Sequence, residues 1–543
     1  MADVGDVSRQ EVPADRGRRQ AARPRLAWAG TVAGAALVLF WCYLRLSQAN
    51  AVNSDGAGVV LQGWDMVHGN VLLSGWQLAD VTFATFEAPI DGLVAVVHGL
   101  NPDAVHITAA IVYTLVVLTA ALLAKGTARG AEGVVRAVLA AGILVAPGIN
   151  PGAHVLLLSP DHTGIAAPIL LALLVADRAR PRWFVPVAMG VLLVWAQVDD
   201  PLATYIGAAP IAVVCGVRAA LPLVRGRRPG WYDAGLAAAA VVSVELARLA
   251  VRAVEAAGGY QMRPIEGGMG TLFPFTSWGR QLSAFGQNLL ILFGANVSGR
   301  PGIELAIGCL HLAGVALALA GLLAGLACLV RDADRVTQIL TVAALAMLAA
   351  GALATPMVTI ASAHEIAVVL PFSAVLAGRT VGSWLARTLW RGPRLALPLL
   401  LAAALAGYLA ALGYGAAQPA RPAETQGLAD WLVAHHLTGG LARYWAANST
   451  TLSAGGRVHV YPVMDLGQSP YTWVAKSAWY DPATSRADFV VATPGSGNPY
   501  ALPEAGVLKV FGQPAREYRV NQYIIMVWDK NLLLTVHSSS PAR

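Results

Sequence analysis

The sequence predicts a polytopic α-helical membrane protein of about eleven transmembrane helices with a C-terminal α/β or α+β domain outside the membrane. Three observations lead there. Hydrophobic residues make up 56% of the 543-residue chain and charged residues only 13%, where a soluble domain carries about 25% charged residues. Mean hydropathy is +0.57. Arginines cluster between apolar runs in a regular alternation, and beyond residue 414 the composition changes abruptly.

The elements follow in chain order. Residues 1–25 hold Arg9, Arg16, Arg18, Arg19, Arg23 and Arg25 among few apolar residues, which reads as a disordered cytoplasmic tail. Apolar runs then fall at 26–46, 103–124, 131–148, 163–177, 184–198, 201–217, 233–252, 303–329, 336–354, 364–384 and 395–414. A spanning helix needs about 20 apolar residues, so 163–177 and 184–198 are short. Short or broken helices persist in lipid where they line a protein cavity. The membrane domain therefore covers 26–418, with large outer loops at 47–102 and 254–302, the second amphipathic near 277–293.

Charge placement sets the orientation. The inner loops carry Lys125 and Arg129, then Arg178, Arg180 and Arg182, then Arg218, Arg225, Arg227 and Arg228, and finally Arg387, Arg391 and Arg394. Only the loop at Arg331 and Arg335 is offset, by Asp332 and Asp334. Residues 46–124 and 137–177 contain no Lys or Arg. This places the N-terminus in the cytoplasm and the C-terminus outside, in the plasma membrane. No cleavable signal peptide is expected, because the first apolar run lacks a small-residue cleavage site and more spans follow. Cys42, Cys215, Cys309 and Cys328 all lie in apolar runs, which argues against a disulfide framework or a cysteine metal site. The basic balance belongs to topology, and nucleic acid is excluded as a partner.

Residues 419–543 hold Pro, Asn, Tyr, Trp and three of the four lysines. The runs "RVHVYPV", "DFVVAT", "VLKVFG" and "QYIIMVW" read as strands, and "GLADWLVAHHL" as a helix.

Acids gather on the outer side. Asp55 follows the first span, ahead of Gly56 and Gly58; Asp65, Asp80, Glu87 and Asp91 come later in the same loop. "LSPDHTG" supplies Asp161 and His162, "AQVDDP" supplies Asp199 and Asp200, and "SAHEIAVV" places His364 and Glu365 at a span's outer end. A general base needs an unpaired carboxylate in a partly dry pocket, and a neighbouring His or acid can orient it or hold a divalent ion such as Mg or Mn. Asp161, His162 and Glu365 are the metal candidates. Each segment also has an ordinary structural reading: Asp before Gly is turn chemistry, "SPDH" is a helix cap, and Glu365 suits a first helical turn. Outside the terminal domain, outer cations are fewer: Arg263, Arg280 and Arg300, beside helix-end Arg252. They suit either an anionic phosphate or lipid headgroups.

Taken together, the many spans, the acid just after the first one and the outer C-terminal domain resemble the GT-C superfamily of polyprenyl-phosphate-sugar glycosyltransferases, and within it the branch of protein O-mannosyltransferases and lipid A aminoarabinose transferases. "FEAPIDG", Phe86 to Gly92, is similar to that branch's F-E-K-P-(I/P)-x-G segment, with Ala88 in place of the lysine. The resemblance implies an inverting transfer from a polyprenyl-phosphate sugar to a cell-envelope glycan, lipid or protein acceptor on the outer face. It implies Asp55 as the base, Asp161 and Glu87 in the catalytic set, and Arg280, Arg300, Arg263, His364 and His162 as phosphate or substrate partners. Without the lysine an arginine has to substitute, or phosphate binding is weaker or absent. Alanine-, glycine- and arginine-rich usage with few lysines points to a GC-rich bacterial genome. A transporter or lipid flippase is the rival reading, with Glu245 and Arg248 as its intramembrane pair. A non-catalytic scaffold of the same fold is a third, for which Ala88 is the best argument.

Overall fold

The computed structural model describes residues 14–158, 162–224, 226, 228, 230–263, 272–331, 334–354, 360–391, 396–493 and 501–536. The first helix, α1 (Ala14–Gln48), is already formed at Ala14, so the expected disordered tail over 1–25 is helical from there onward. A layer outside the bundle comes next: α2 (Ser54–Val67), β1 (Trp76–Leu78) and α3 (Glu87–His98). The bundle continues with α4 (Asp103–Lys125), α5 (Gly130–Leu144), the short α6 (Gly152–Leu157), α7 (Ala166–Arg178), α8 (Phe184–Asp199), α9 (Ala209–Val224) and α10 (Trp231–Ala256). A π-helical turn at Thr204–Ala208 leads into α9.

The second outer segment contains β2 (Gln261–Met262) and the amphipathic α11 (Trp278–Leu292). Then follow α12 (Gly302–Leu329), α13 (Arg335–Leu353), a 3-10 segment (Ile360–Ile366), α14 (Val369–Arg391) and α15 (Ala396–Ala416). All eleven apolar runs are helical over most of their length. Among the described residues eight helices are long and apolar enough to cross a membrane; α5, α7 and α8, of 15, 13 and 16 residues, are shorter. The chain is an integral membrane protein.

At the centre of the bundle is α14, the most buried of the spans, packed against α4, α5, α12 and α13. Of the two aspartates offsetting the loop at Arg331, Asp332 lies outside the described residues and Asp334 has two structural roles. Asp334 accepts from the Thr337 backbone N–H at 3.0 Å and caps α13. It also pairs at 2.8 Å with buried Arg379 of α14, which reaches Asp177 of α7 at 3.0 Å. That ion pair locks three spans together at the end away from α2.

The C-terminal domain is a six-stranded mixed sheet. It is built from α16 (Gln426–Ala434), β3 (Gly439–Ala442), α17 (Tyr444–Ser453), β4 (His459–Met464), β5 (Ser469–Pro470), β6 (Ala475–Lys476), β7 (Phe489–Ala492), α18 (Glu504–Phe511), β8 (Arg516–Val520) and β9 (Tyr523–Val527). Strand order is β5-β4-β3-β7-β9-β8, with β4-β3-β7 parallel and the outer pairs antiparallel. The β3–α17–β4 crossover presses α17 between the sheet and α2. "VLKVFG", expected as a strand, is helical: Pro503 and Glu504 open α18, Val507 and Phe511 bury one face four residues apart, and Gly512 at φ +79° ends it.

A second sheet ties the layers together. Strand β1 from the first outer segment pairs parallel with β2 from the second and antiparallel with β6 of the C-terminal domain. Asp65 of α2 strengthens the joint, accepting from Lys476 at 2.9 Å and from the Trp76 indole at 2.8 Å.

Candidate active site

Asp55 stands in the first turn of α2, whose start is set by Asn53 accepting from the Gly56 N–H at 3.0 Å. Two bonds fasten this turn to α17. The Tyr444 hydroxyl donates to Asp55 Oδ1 at 2.6 Å, and Ser54 Oγ donates to the Tyr444 carbonyl at 2.6 Å. Gly58 completes the joint. A Cβ there would lie 2.5 Å from Val474 Cγ1, so only glycine lets the strap at residues 471–474 rest on α2.

A cavity of about 500 Å³ opens beside Asp55, and Asp80, His162, His364, Glu365 and Trp445 line it as well. They arrive from α2, the loop after β1, the turn before α7, the 3-10 segment before α14, and α17. His154 of α6, Glu424 and Trp473 complete the polar and aromatic part of the wall.

His162 organises the far side. Its Nδ1 lies 2.6 Å from Asp200 Oδ2, its Nε2 3.7 Å from Glu365 Oε2, and His364 Nε2 is 3.3 Å from Glu365 Oε1. Burial opposes a charge on His162, but Asp200 and Glu365 outweigh it and hold the imidazole well above its usual range. Burial likewise raises Glu365, and the hydrogen bonds from His162 and His364 more than reverse that, leaving it below the usual carboxylate range. Asp80 is displaced the other way, pushed up by burial. The cavity thus carries an imidazolium clamped between two carboxylates, and acids of differing proton affinity around it.

Four sequence candidates, Asp55, His162, His364 and Glu365, therefore line one cavity. The others lie elsewhere. Glu87 sits behind α2 in a separate cavity of about 30 Å³ with Asp91, Thr108 and Thr163. Burial first, and then the neighbouring Asp199 carboxylate, push its carboxyl well up. Asp199 itself accepts from the backbone N–H groups of Thr85 and Phe86, both at 2.9 Å, and so fixes the start of α3. Ala88 is fully buried where α3 crosses α2 and lines neither cavity. Arg300 is spent on the Ile149 and Asn150 carbonyls, at 3.3 and 2.6 Å, and on Glu304 at 3.3 Å. Arg280 is exposed on α11, and the Arg263 backbone extends the small sheet by donating to Leu78 at 3.3 Å. Asp161 lies outside the described residues.

Tyr444, Trp445 and Trp473 were not among the sequence candidates. From the sequence, the Tyr and Trp residues of the terminal domain, those of "ARYWAANST" included, read equally as a stacking surface for acceptor or sugar and as plain packing, but nothing local tied Tyr444 to Asp55, since the contact spans 389 residues. No three His, Cys, Asp or Glu side chains converge as a metal site among the described residues. With both ring nitrogens of His162 facing carboxylates, the described candidates His162 and Glu365 do not fit a divalent ion as arranged. Glu245 and Arg248 pair at 2.8 Å on α10, both more than half exposed at 66% and 61% and away from the cavity.

No family model matches the chain, and no curated protein does. Among solved structures it is similar to ArnT from Cupriavidus metallidurans bound to undecaprenyl phosphate, with a TM-score of 0.50 and 14% identity over 92% of this chain and 98% of that one. It is also similar to the Archaeoglobus fulgidus oligosaccharyltransferase solved with Zn and sulfate, at TM-score 0.47 and 12% identity over 84% of this chain and 67% of that one. The same archaeal enzyme, AglB, in complex with an inhibitory peptide and a dolichol-phosphate, aligns at TM-score 0.47 and 13% identity over 86% and 70% of the two chains. Over most of its length the chain shares its fold with ArnT.

Proposed function

We propose that this protein is an inverting membrane glycosyltransferase that moves a sugar from a polyprenyl-phosphate donor to an acceptor on the extracytoplasmic face, with Asp55 as general base. The observation that carries the reading is Asp55 itself, a carboxylate placed by α2 in a cavity wall and oriented by Tyr444 at 2.6 Å. In the reaction the acceptor oxygen forms a bond to the sugar's anomeric carbon. The bond from that carbon to the phosphate oxygen breaks, and its electron pair leaves on the lipid phosphate. The acceptor's proton goes to Asp55.

Asp80, Glu365 and Glu424 supply acceptors for sugar hydroxyls, His154 and His364 present imidazoles to the departing phosphate, and His162, held between Asp200 and Glu365, positions Glu365. Of the five proposed phosphate partners these walls carry the two histidines, His162 and His364; Arg263, Arg280 and Arg300 would act only by moving. Glu87 supports the site from behind, through Asp199 and α3. In this reading the three shorter helices α5, α7 and α8 also span, the N-terminus is cytoplasmic, and the C-terminal domain is outside. The fold shared with ArnT supports the reading.

The test is sugar transfer by purified protein in nanodiscs, supplied with undecaprenyl-phosphate hexoses and pentoses. Asp55→Asn is expected to abolish release of undecaprenyl phosphate with the melting temperature unchanged. Equal release by wild type and variant would overturn the assignment. Loss of transport activity on Glu245→Gln, with Asp55→Asn silent, would favour the transporter reading instead.

A further inference from the structure

A second cavity, of about 300 Å³, meets Asp55 from the other side. Apart from Asp55, its wall comes wholly from the C-terminal domain, and Arg443, Tyr444, Trp445, Tyr471 and Trp473 form most of it. Asp55, Trp445 and Trp473 line both cavities and so make a partition between them. A base that takes a proton from one substrate while that substrate attacks another has to face both.

The two chambers differ in chemistry. The larger one holds the titratable cluster around His162; the smaller is walled by rings. Tyr444 packs against Tyr471 at 5.2 Å between centroids and against Trp445 at 5.3 Å. Trp445 nonetheless leaves 43% of its surface uncovered. The Trp473 strap is held in a costly backbone shape, because Val474, a β-branched residue, has φ +50°. Asn448 fixes it by donating to the Val474 carbonyl at 3.1 Å, and Gly58 leaves room for its side chain. Strain maintained from two sides keeps an indole at the partition.

We propose that this smaller chamber is the acceptor site and that the acceptor is a carbohydrate, one sugar ring lying on the aromatic wall with a hydroxyl directed at Asp55. Aromatic faces take the C–H face of a pyranose or furanose, while Arg443 and Asp55 serve its hydroxyls. An acyl chain would need an aliphatic wall, and Val463 and Met464 are the aliphatic part of this one. The proposal rests on the glycosyltransferase reading, and the two can fail separately.

The experiment uses full-length protein in nanodiscs with undecaprenyl-phosphate hexoses and pentoses as donors. Three acceptor probes compete: a panel of methyl glycosides, a Ser/Thr-containing peptide, and a short-chain phospholipid. The expected result is transfer to a methyl glycoside, with Tyr471→Leu raising the acceptor KM about tenfold and Tyr471→Phe restoring it. Slow donor cleavage by water is read in the same variants, because Tyr471 packs on Tyr444, which holds Asp55: a rise in acceptor KM well beyond any change in cleavage supports the proposal, and a parallel fall in cleavage would assign Tyr471 to positioning Tyr444 and overturn its role in acceptor binding. Transfer to the peptide or phospholipid, or an acceptor KM insensitive to Tyr471→Leu in folded protein, would overturn the proposal while leaving the glycosyltransferase reading standing. Absence of any donor cleavage by wild type would remove both.

Discussion

The Tyr444 hydroxyl donates to Asp55 Oδ1 at 2.6 Å and joins the first outer helix to the C-terminal domain across 389 residues. The bond makes the domain part of the site. It also orients the carboxylate. Tyr444→Phe keeps the ring packing and removes only the bond. Transfer is expected to fall by roughly 10- to 150-fold, in line with about 1.5–3 kcal/mol for a hydrogen bond to a charged group. Steady-state release of undecaprenyl phosphate measures it; unchanged kcat/KM would show that Tyr444 is packing alone.

His162 holds Asp200 and Glu365 together, and the linkage has a definite sign. Its imidazole is held well above its ordinary value of 6.5, so the stabilisation it provides is complete below 6.5 and is lost as pH rises through the raised value. His162→Gln should cost about 3 kcal/mol at neutral pH, as expected for removing one partner of a buried ion pair. The variant should lack the alkaline decline in melting temperature that wild type shows. Parallel curves for the two proteins would rule this out.

Gly58 is required by the approach of Val474. Gly58→Ala places a Cβ 2.5 Å from Val474 Cγ1 and should destabilise the strap by about 1–3 kcal/mol, with lower transfer because Trp473 shifts with it. Gly216 of α9 has nothing within 4 Å of a built Cβ, and Gly216→Ala should leave melting temperature and activity at or above wild type. Equal behaviour of the two substitutions would remove the role given to the strap.

Ala88 stands where the sequence resemblance calls for lysine, but its side chain is fully buried. Its carbonyl packs so closely on Gly63 of α2 that no Cβ fits there. Ala88→Lys should therefore lower expression and stability by several kcal/mol from an unpaired buried ammonium, without raising activity. A stable, more active variant would mean that the segment moves on donor binding.

Much of this architecture is readable from residue order. The apolar runs became helices because their lengths and flanking arginines are local properties, and amphipathicity marked α11 before any contact was known. Asp55, His162, His364 and Glu365 could be chosen because polar residues beside spans on one face have few places to go. Other features depended on tertiary partners. The "VLKVFG" run has strand-like composition, yet Pro503 and the four-residue spacing of Val507 and Phe511 make it helical. His364 and Glu365 precede α14 in a 3-10 segment rather than opening the span, with Pro371 in the first turn of the helix behind them. Arg300 looked available by sequence and is occupied by two carbonyls some 150 residues away. The smaller chamber was invisible because seven of its eight lining residues lie after position 440, and only folding brings Asp55 to them.

The most direct test is single-turnover release of undecaprenyl phosphate from a matched undecaprenyl-phosphate sugar, comparing wild type with Asp55→Asn in nanodiscs. Loss of general-base catalysis predicts a drop of about 10²–10⁴-fold at unchanged melting temperature. Release at the wild-type rate from the Asn variant would contradict Asp55 as the base.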